Sequence, residues 1–358
     1  MLAVVGIVLA GGALLVAFDL VAAALGAPSA IAAGVMALVP LGIVALGAWW
    51  MDRWEPEPRA ALLFAFLWGA GVSVLVALVV GAVVDAGIEL AGGPNDATEF
   101  VGAAVQAPLV EEIAKAFGLL LLVWAARRHF DGPVDGAVYA TWIAGGFAFT
   151  ENVLYFGSEI VEGGDVGMLF FVRGIMSPFA HVMFTVCTGI AIGFAVRRGA
   201  GAFGALGAAI LGLIPAIGLH ALWNAALFVV TDFFGYYFTI QFPLFVGMIV
   251  LVLWLRKQEW RLTRERLAEV AAAGWLDVAE IDWLGTPAGR RRAKAWARSV
   301  GRTGAMKAYI REAGRVAAAR QRILSGRGRE RERADELEGL RRLRALREVV
   351  AGRPVALG

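Results

Sequence analysis

The sequence predicts an all-α, polytopic membrane protein with about eight transmembrane helices, followed by a basic, mostly helical cytoplasmic tail. Two observations carry that prediction. Of the 358 residues 59% are hydrophobic, and the mean hydropathy is +0.70, which excludes an ordinary soluble domain. The charge is also divided along the chain. Residues 1–255 hold 8 Lys/Arg and 17 Asp/Glu, a net of −9, whereas residues 256–358 hold 25 and 13, a net of +12. The boundary is therefore expected near 255, with a transmembrane domain over 1–255 and a basic tail over 256–358.

Eight apolar segments can be drawn at about 2–24, 30–50, 60–84, 100–126, 134–157, 167–196, 203–230 and 236–255. Each approaches the ~20 residues that cross a bilayer core. The first starts at Met1 without a basic stretch and is expected to be a retained helix rather than a cleaved signal. Orientation follows from the loops. Arg53 and Arg59, Arg127 and Arg128, Arg197 and Arg198, and Arg256 and Lys257 follow the even-numbered segments. The loops at 85–99, 157–167 and 231–237 carry no Lys or Arg. The positive-inside rule then places both termini in the cytoplasm.

The tail has a helical pattern with expected breaks at Gly274, Pro287, Gly304 and Gly326. Its first residues, 256–261, suit anionic lipids of the cytoplasmic leaflet, with Trp260 at the interface. Beyond Leu276 the expectation is a set of solvated, charge-laced helices. Acids are mixed with the arginines throughout and no recognition motif appears, so no nucleic-acid partner is expected. The single cysteine, Cys187, excludes an internal disulfide and a Cys-based metal cluster.

The fourth segment holds Glu111, Glu112 and Lys115 in an otherwise apolar run. Each such group at the bilayer centre costs at least ~2.5–3.5 kcal/mol on insertion scales, so this helix is the expected floor of an active site. Glu111 and Lys115 stand at i,i+4 and can pair. Glu112 points about 100° away, with no partner expected from its own helix. The fifth segment carries Glu151 and Asn152. The sixth places Arg173, Ser177 and His181 on one face, and the seventh places His220 and Asn224 on one face. Counted from the outer loops at about 1.5 Å per residue, the glutamates and both histidines share the outer-to-middle part of the bilayer. Pro108 and Pro215 each kink a helix or free a carbonyl one turn earlier.

Carboxylate plus imidazole can activate water for attack on a carbonyl, and His220 with Asn224 could hold the oxyanion. The other version is a zinc site with His181, His220 and Glu111 or Glu112 as ligands and the second Glu as base. A transporter or channel relaying protons through intramembrane Glu and His is the rival class. Inverted repeats and broken helix pairs, common in transporters, are not evident.

Four motifs, EEIAK at 111–115, FAFTEN at 147–152, the Arg173/Ser177/His181 triplet and HALWN at 220–224, resemble the PrsW family of intramembrane proteases. That family belongs with the CAAX-prenyl endopeptidase-like and bacteriocin-processing membrane proteases. The resemblance covers about residues 30–255. It implies an endopeptidase of a bacterial cytoplasmic membrane acting on membrane-anchored proteins, often in regulated proteolysis such as anti-sigma factor cleavage. By the family's pattern Glu111, Glu112, His181 and His220 form the catalytic set, with Glu111 first choice as base, although its pairing with Lys115 would argue for Glu112, and with His220/Asn224 at the oxyanion. Lys115, Glu151, Asn152, Arg173 and Ser177 support them. PrsW proteins are commonly labelled metalloproteases, whereas wider relatives use Glu and His alone, so zinc and a metal-free mechanism both stay open here.

Overall fold

A computed structural model describes residues 2–125, 129–326 and 329–352. Arg127 and Arg128, used above for orientation, lie outside the described residues. The chain divides into two compact units, one formed by residues 1–196 with 200–251 and the other by 197–199 with 252–358.

The first unit is built of long helices, with no strand among the described residues. They are α1 (Leu2–Leu25), α2 (Ala27–Met51), α3 (Arg59–Leu90), α4 (96–125), α5 (Pro133–Glu162), α6 (Val166–Arg197), α7 (Ala202–Val229) and the first part of α8 (Phe233–Ala272), whose residues from 252 onward belong to the second unit. Six of them, α1–α3 and α6–α8, are long and apolar enough to cross a membrane. The other two, α4 and α5, are comparably long and carry the ionisable residues Glu111, Glu112, Lys115 and Glu151. Helix α8 runs without interruption past the expected end at 255, to Ala272.

The packing follows membrane rules, in which small residues let backbones approach. A Cβ on Gly69 of α3 would lie 1.8 Å from the Ile143 carbonyl oxygen of α5, and one on Gly146 would lie 2.2 Å from that of Phe66. The same reciprocity joins α5 to α6, where Gly136 and Gly189 each face the other's carbonyl, at 2.0 and 2.2 Å. Helix α5 is thereby clamped between α3 and α6 and also packs along α2. This fixes the height of Glu151 against both neighbours. On the connection between α2 and α3, Tyr139 donates to Glu57, and burial raises the Asp52 carboxyl to about 6.

Four of the helices contain a π-turn: Trp68–Ser73 in α3, Gly102–Gln106 in α4, Phe171–Met176 in α6 and Tyr237–Gln241 in α8. Such turns insert one residue into the α register and recur at functional sites. Helix α6 is also broken at 177–179. Pro178 has no N–H, and the Ser177 hydroxyl donates to the Val172 carbonyl at 2.7 Å, closing the first half of the helix.

The second unit has a core of its own. Leu267, Leu284, Ala293, Met306, Tyr309 and Leu343 are buried together, so the charge-laced helices expected beyond 276 pack on one another around an apolar interior. They are α9 (Val278–Gly285), α10 (Pro287–Ser299), α11 (Thr303–Leu324) and α12 (Arg329–Ala351). Local sequence sets their ends. Asp277 and Glu280 form a capping box on α9, and Thr286 caps α10 ahead of Pro287. Gly274 and Gly326 take left-handed turns, as expected of breaks. The break expected at Gly304 falls instead at Gly301, which has a φ of +72°. Gly304 lies inside α11.

Candidate active site

Helix α4 presents Glu111, Glu112 and Lys115 to the interior of the first unit, where all three are buried. Two contacts set its position against α3: Trp68 donates its indole N–H to the Ala114 carbonyl at 2.9 Å, and Gly118 leaves room for that ring. Lys115 is fully buried and has three partners. Its ammonium donates to Glu112 at 2.8 Å and to Glu111 at 3.3 Å, and lies 3.3 Å from His181 Nδ1. The Phe147 ring stands 3.8 Å from the same nitrogen. The expectation that Glu112 lacks a partner on its own helix is therefore corrected. Residues at i,i+3 also meet on a helix surface, and a lysine chain is long enough to bridge both glutamates.

The two adjacent glutamates end up in different situations. Glu112 accepts from Lys115, from the Thr185 hydroxyl at 2.8 Å, and from His220 Nδ1 at 3.1 Å. Both of its oxygens are occupied. Glu111 has Lys115 at 3.3 Å and His220 Nε2 at 3.8 Å, and it lines a cavity of about 280 Å³ with Leu78, Phe147, Glu151 and Tyr155. Of the two adjacent glutamates, Glu111 is the one that lines this cavity.

Glu151 of α5 accepts from the Arg173 guanidinium and from His181 Nε2, the latter at 2.8 Å. Arg173 Nε also donates to Asn152 Oδ1 at 2.9 Å. Asn152, Arg173, Ser177 and His181 line a second cavity of about 20 Å³, with room for about one water. The imidazoles are fixed by packing as well. His220 stacks on Phe184 with centroids 4.7 Å apart, and the His181 ring stands perpendicular to His220 at 5.0 Å.

These bonds assign the tautomers. An ionised carboxylate only accepts, so His220 donates through Nδ1 to Glu112 and keeps a lone pair on Nε2, facing Glu111. His181 donates through Nε2 to Glu151 and keeps its lone pair on Nδ1, where the Lys115 ammonium meets it.

That assignment bears on a metal. Glu111, His181 and His220 each offer a donor atom, and these lie within 4.8 Å of one another. One carboxylate and two imidazoles form a common zinc set, and each imidazole is oriented by a carboxylate as metal ligands are. The only lone pair of His181, however, is already engaged by Lys115, whose ammonium also sits against Glu111. The donors suit a metal in kind, but this arrangement gives the cation position to Lys115. Glu111 is the carboxylate grouped with the two imidazoles, while Glu112 accepts from Lys115, Thr185 and His220.

A family model described as "PrsW family intramembrane metalloprotease" matches residues 57–258, the stretch that contains every residue of this cluster. The chain belongs to the PrsW family. Among PrsW proteins it is similar to "Protease PrsW" of Clostridioides difficile (strain 630), 32% identical over 158 residues, 43% of this chain and 62% of that protein. "Protease PrsW" of Geobacillus kaustophilus (strain HTA426) is 31% identical over 150 residues, 41% and 60% of the respective chains. That of Bacillus subtilis (strain 168) is 29% identical over 153 residues, 42% and 64%. The chain thus spans roughly three fifths of the length of these three relatives. No solved structure matches it.

Of the residues that the sequence analysis selected, Glu111, Glu112, Lys115, Glu151, Asn152, Arg173, His181 and His220 come together. Ser177 lines the small cavity with its hydroxyl committed to a backbone carbonyl. Asn224 does not line either cavity; its amide donates to the Ala103 carbonyl at 2.9 Å. Thr185 is a site residue that sequence reasoning missed. It stands four residues after His181, on the same face of α6, and that spacing was the available signal.

Proposed function

We propose that this protein is an intramembrane endopeptidase in which Glu111 activates water against a peptide bond of a membrane-anchored protein. The observation that carries the reading is the asymmetry of the glutamate pair: Glu112 is fully bonded, whereas Glu111 opens on the larger cavity. Membership of the PrsW family supports the reaction class.

In this mechanism a water in the cavity donates to the Glu111 carboxylate and to the lone pair of His220 Nε2. Those two acceptors lie 3.8 Å apart, a spacing that one water can bridge. Glu111 takes the proton as the water oxygen attacks the scissile carbonyl, and later returns it to the leaving amine. Glu112 keeps His220 in the tautomer that this requires. The ammonium of Lys115 and the guanidinium of Arg173 supply positive charge for the developing oxyanion, a field that acts strongly where water is scarce. Zinc held by Glu111, His181 and His220 would have to displace Lys115 from His181 and Glu111.

The larger cavity is lined on one side by apolar α3 residues, Val74, Ala77 and Leu78, which suits an apolar single-span helix as substrate. Anti-sigma factors and similar regulatory proteins fit that description. The proposed setting is a bacterial cytoplasmic membrane with both termini inside, where residues 256–261 meet anionic lipids. The proposed domains are a protease domain over 1–255 and a basic tail beyond it.

The test is reconstitution of the protein with a single-span substrate in proteoliposomes. Cleavage products with ends inside or beside the span, absent for Glu111→Gln, are expected. Intact substrate together with proton flux that Glu151→Gln abolishes would replace this reading with a transporter.

A further inference from the structure

We infer that Asn224 is a positioning residue, whose side-chain amide replaces the backbone N–H that Pro108 lacks and so holds the turn that aims Glu111 and Glu112. The inference rests on the proposed protease reading for its consequence, and on α4 alone for its geometry.

The helix is π-wound over Gly102–Gln106, and the N–H of Ala107 reaches back five residues to the Gly102 carbonyl. The next bond in that register would run from residue 108 to the Ala103 carbonyl. Residue 108 is proline and has no N–H to give. Ala107 gives its own N–H to Gly102, so the Ala103 oxygen lacks both its α-register and its π-register donor. At membrane depth such an oxygen has no water to turn to. It accepts instead from Asn224 Nδ2, across from α7, at 2.9 Å.

Two of the other three π-turns also have a carbonyl that accepts from a side chain of a neighbouring helix. In α3, the Ala70 carbonyl accepts from the Thr150 hydroxyl of α5 at 2.9 Å. In α6, the Met176 carbonyl accepts from the Tyr237 hydroxyl of α8 at 2.6 Å, whereas the Val172 carbonyl accepts both the backbone N–H and the hydroxyl of Ser177. In each of these turns a side chain of a neighbouring helix donates to a backbone carbonyl.

The position of this turn gives it functional weight. A π-turn adds one residue, which changes the azimuth of everything after it by about 100°. Glu111 and Glu112 follow Pro108 directly. Asn224 lies one turn after His220 on the same face of α7, so a single helix face fixes the turn through Asn224 and receives Glu112 through His220. The amide of Asn224, committed to Ala103, acts on the geometry of the glutamates and not on the substrate's oxyanion.

The experiment compares Asn224→Leu, Pro108→Ala and the double variant in the full-length protein. Cleavage of the single-span substrate in proteoliposomes and melting in detergent are both measured. Asn224→Leu is expected to lower kcat on the order of 100-fold per folded protein, the scale of a displaced catalytic group, with KM held. Pro108→Ala supplies the missing N–H, so the double variant is expected to recover most of both kcat and melting temperature. A double variant that melts like wild type but stays as inactive as Asn224→Leu would overturn the inference and return Asn224 to the oxyanion. If the wild type itself cleaves nothing, the protease reading fails, and the melting series alone decides. Failure of Pro108→Ala to restore the stability lost in Asn224→Leu then overturns the positioning role.

Discussion

The two units of this chain are organised in opposite senses. In the first, leucines and isoleucines such as Leu46, Leu211 and Ile214 are about two-thirds exposed, while Glu112, Lys115 and His220 are at most 1% exposed. In the second, Leu267, Leu284 and Met306 form the interior, and charged pairs such as Arg342 with Glu338 lie outside. One alphabet is used with two solvents. Lipid accepts the apolar side chains that water rejects, so the interior of the membrane unit is free to be polar, provided its groups satisfy one another. In the first unit a charge is an architectural commitment; in the second it is mostly a surface property.

Substitutions can break or sharpen that contrast. The largest effect is expected for Glu112→Leu, which takes from Lys115 its closest partner and leaves an ammonium buried, at a cost of about 3–5 kcal/mol. Its counterpart, Arg342→Ala in the second unit, should change stability by no more than about 1 kcal/mol. Thermal melting of the detergent-solubilised protein compares them, and equal melting temperatures would erase the distinction. Next come the helical glycines. Gly146→Val drives a side chain into the Phe66 carbonyl and should cost at least roughly 1–3 kcal/mol. At Gly304, where an added Cβ meets nothing within 4 Å, Ala should instead stabilise by up to about 1 kcal/mol. Opposite signs for the two, read from the same melts, are the expected outcome.

The sequence made the site legible because intramembrane charge is rare enough to stand out. Glu111, Glu112, Lys115 and Glu151, with the helical spacings of Arg173 to His181 and His220 to Asn224, marked four helices that the structure brings into contact. Helix ends were harder to place. Helix α8 continues past its apolar stretch because helicity does not stop where lipid does. The sharing of Lys115 between two glutamates depends on side-chain reach rather than on residue spacing. The role of Asn224 depends on a π register that no residue pattern encodes, although Pro108 signalled that a carbonyl would be left over. The core of the second unit was hidden by its charge density, since alternating Arg and Glu look the same on a solvated rod and on the outer face of a packed bundle.

The central claim is that adjacent glutamates divide the work, Glu111 acting on substrate and Glu112 holding the site together. The most direct measurement is the cleavage rate and melting temperature of Glu111→Gln beside Glu112→Gln, on one membrane-anchored substrate and with chelator present throughout. The account predicts cleavage by the wild type despite the chelator, no cleavage by Glu111→Gln at a near-normal melting temperature, and a marked loss of melting temperature for Glu112→Gln. Cleavage that survives in Glu111→Gln, or disappears from the wild type once metal is removed, would contradict it.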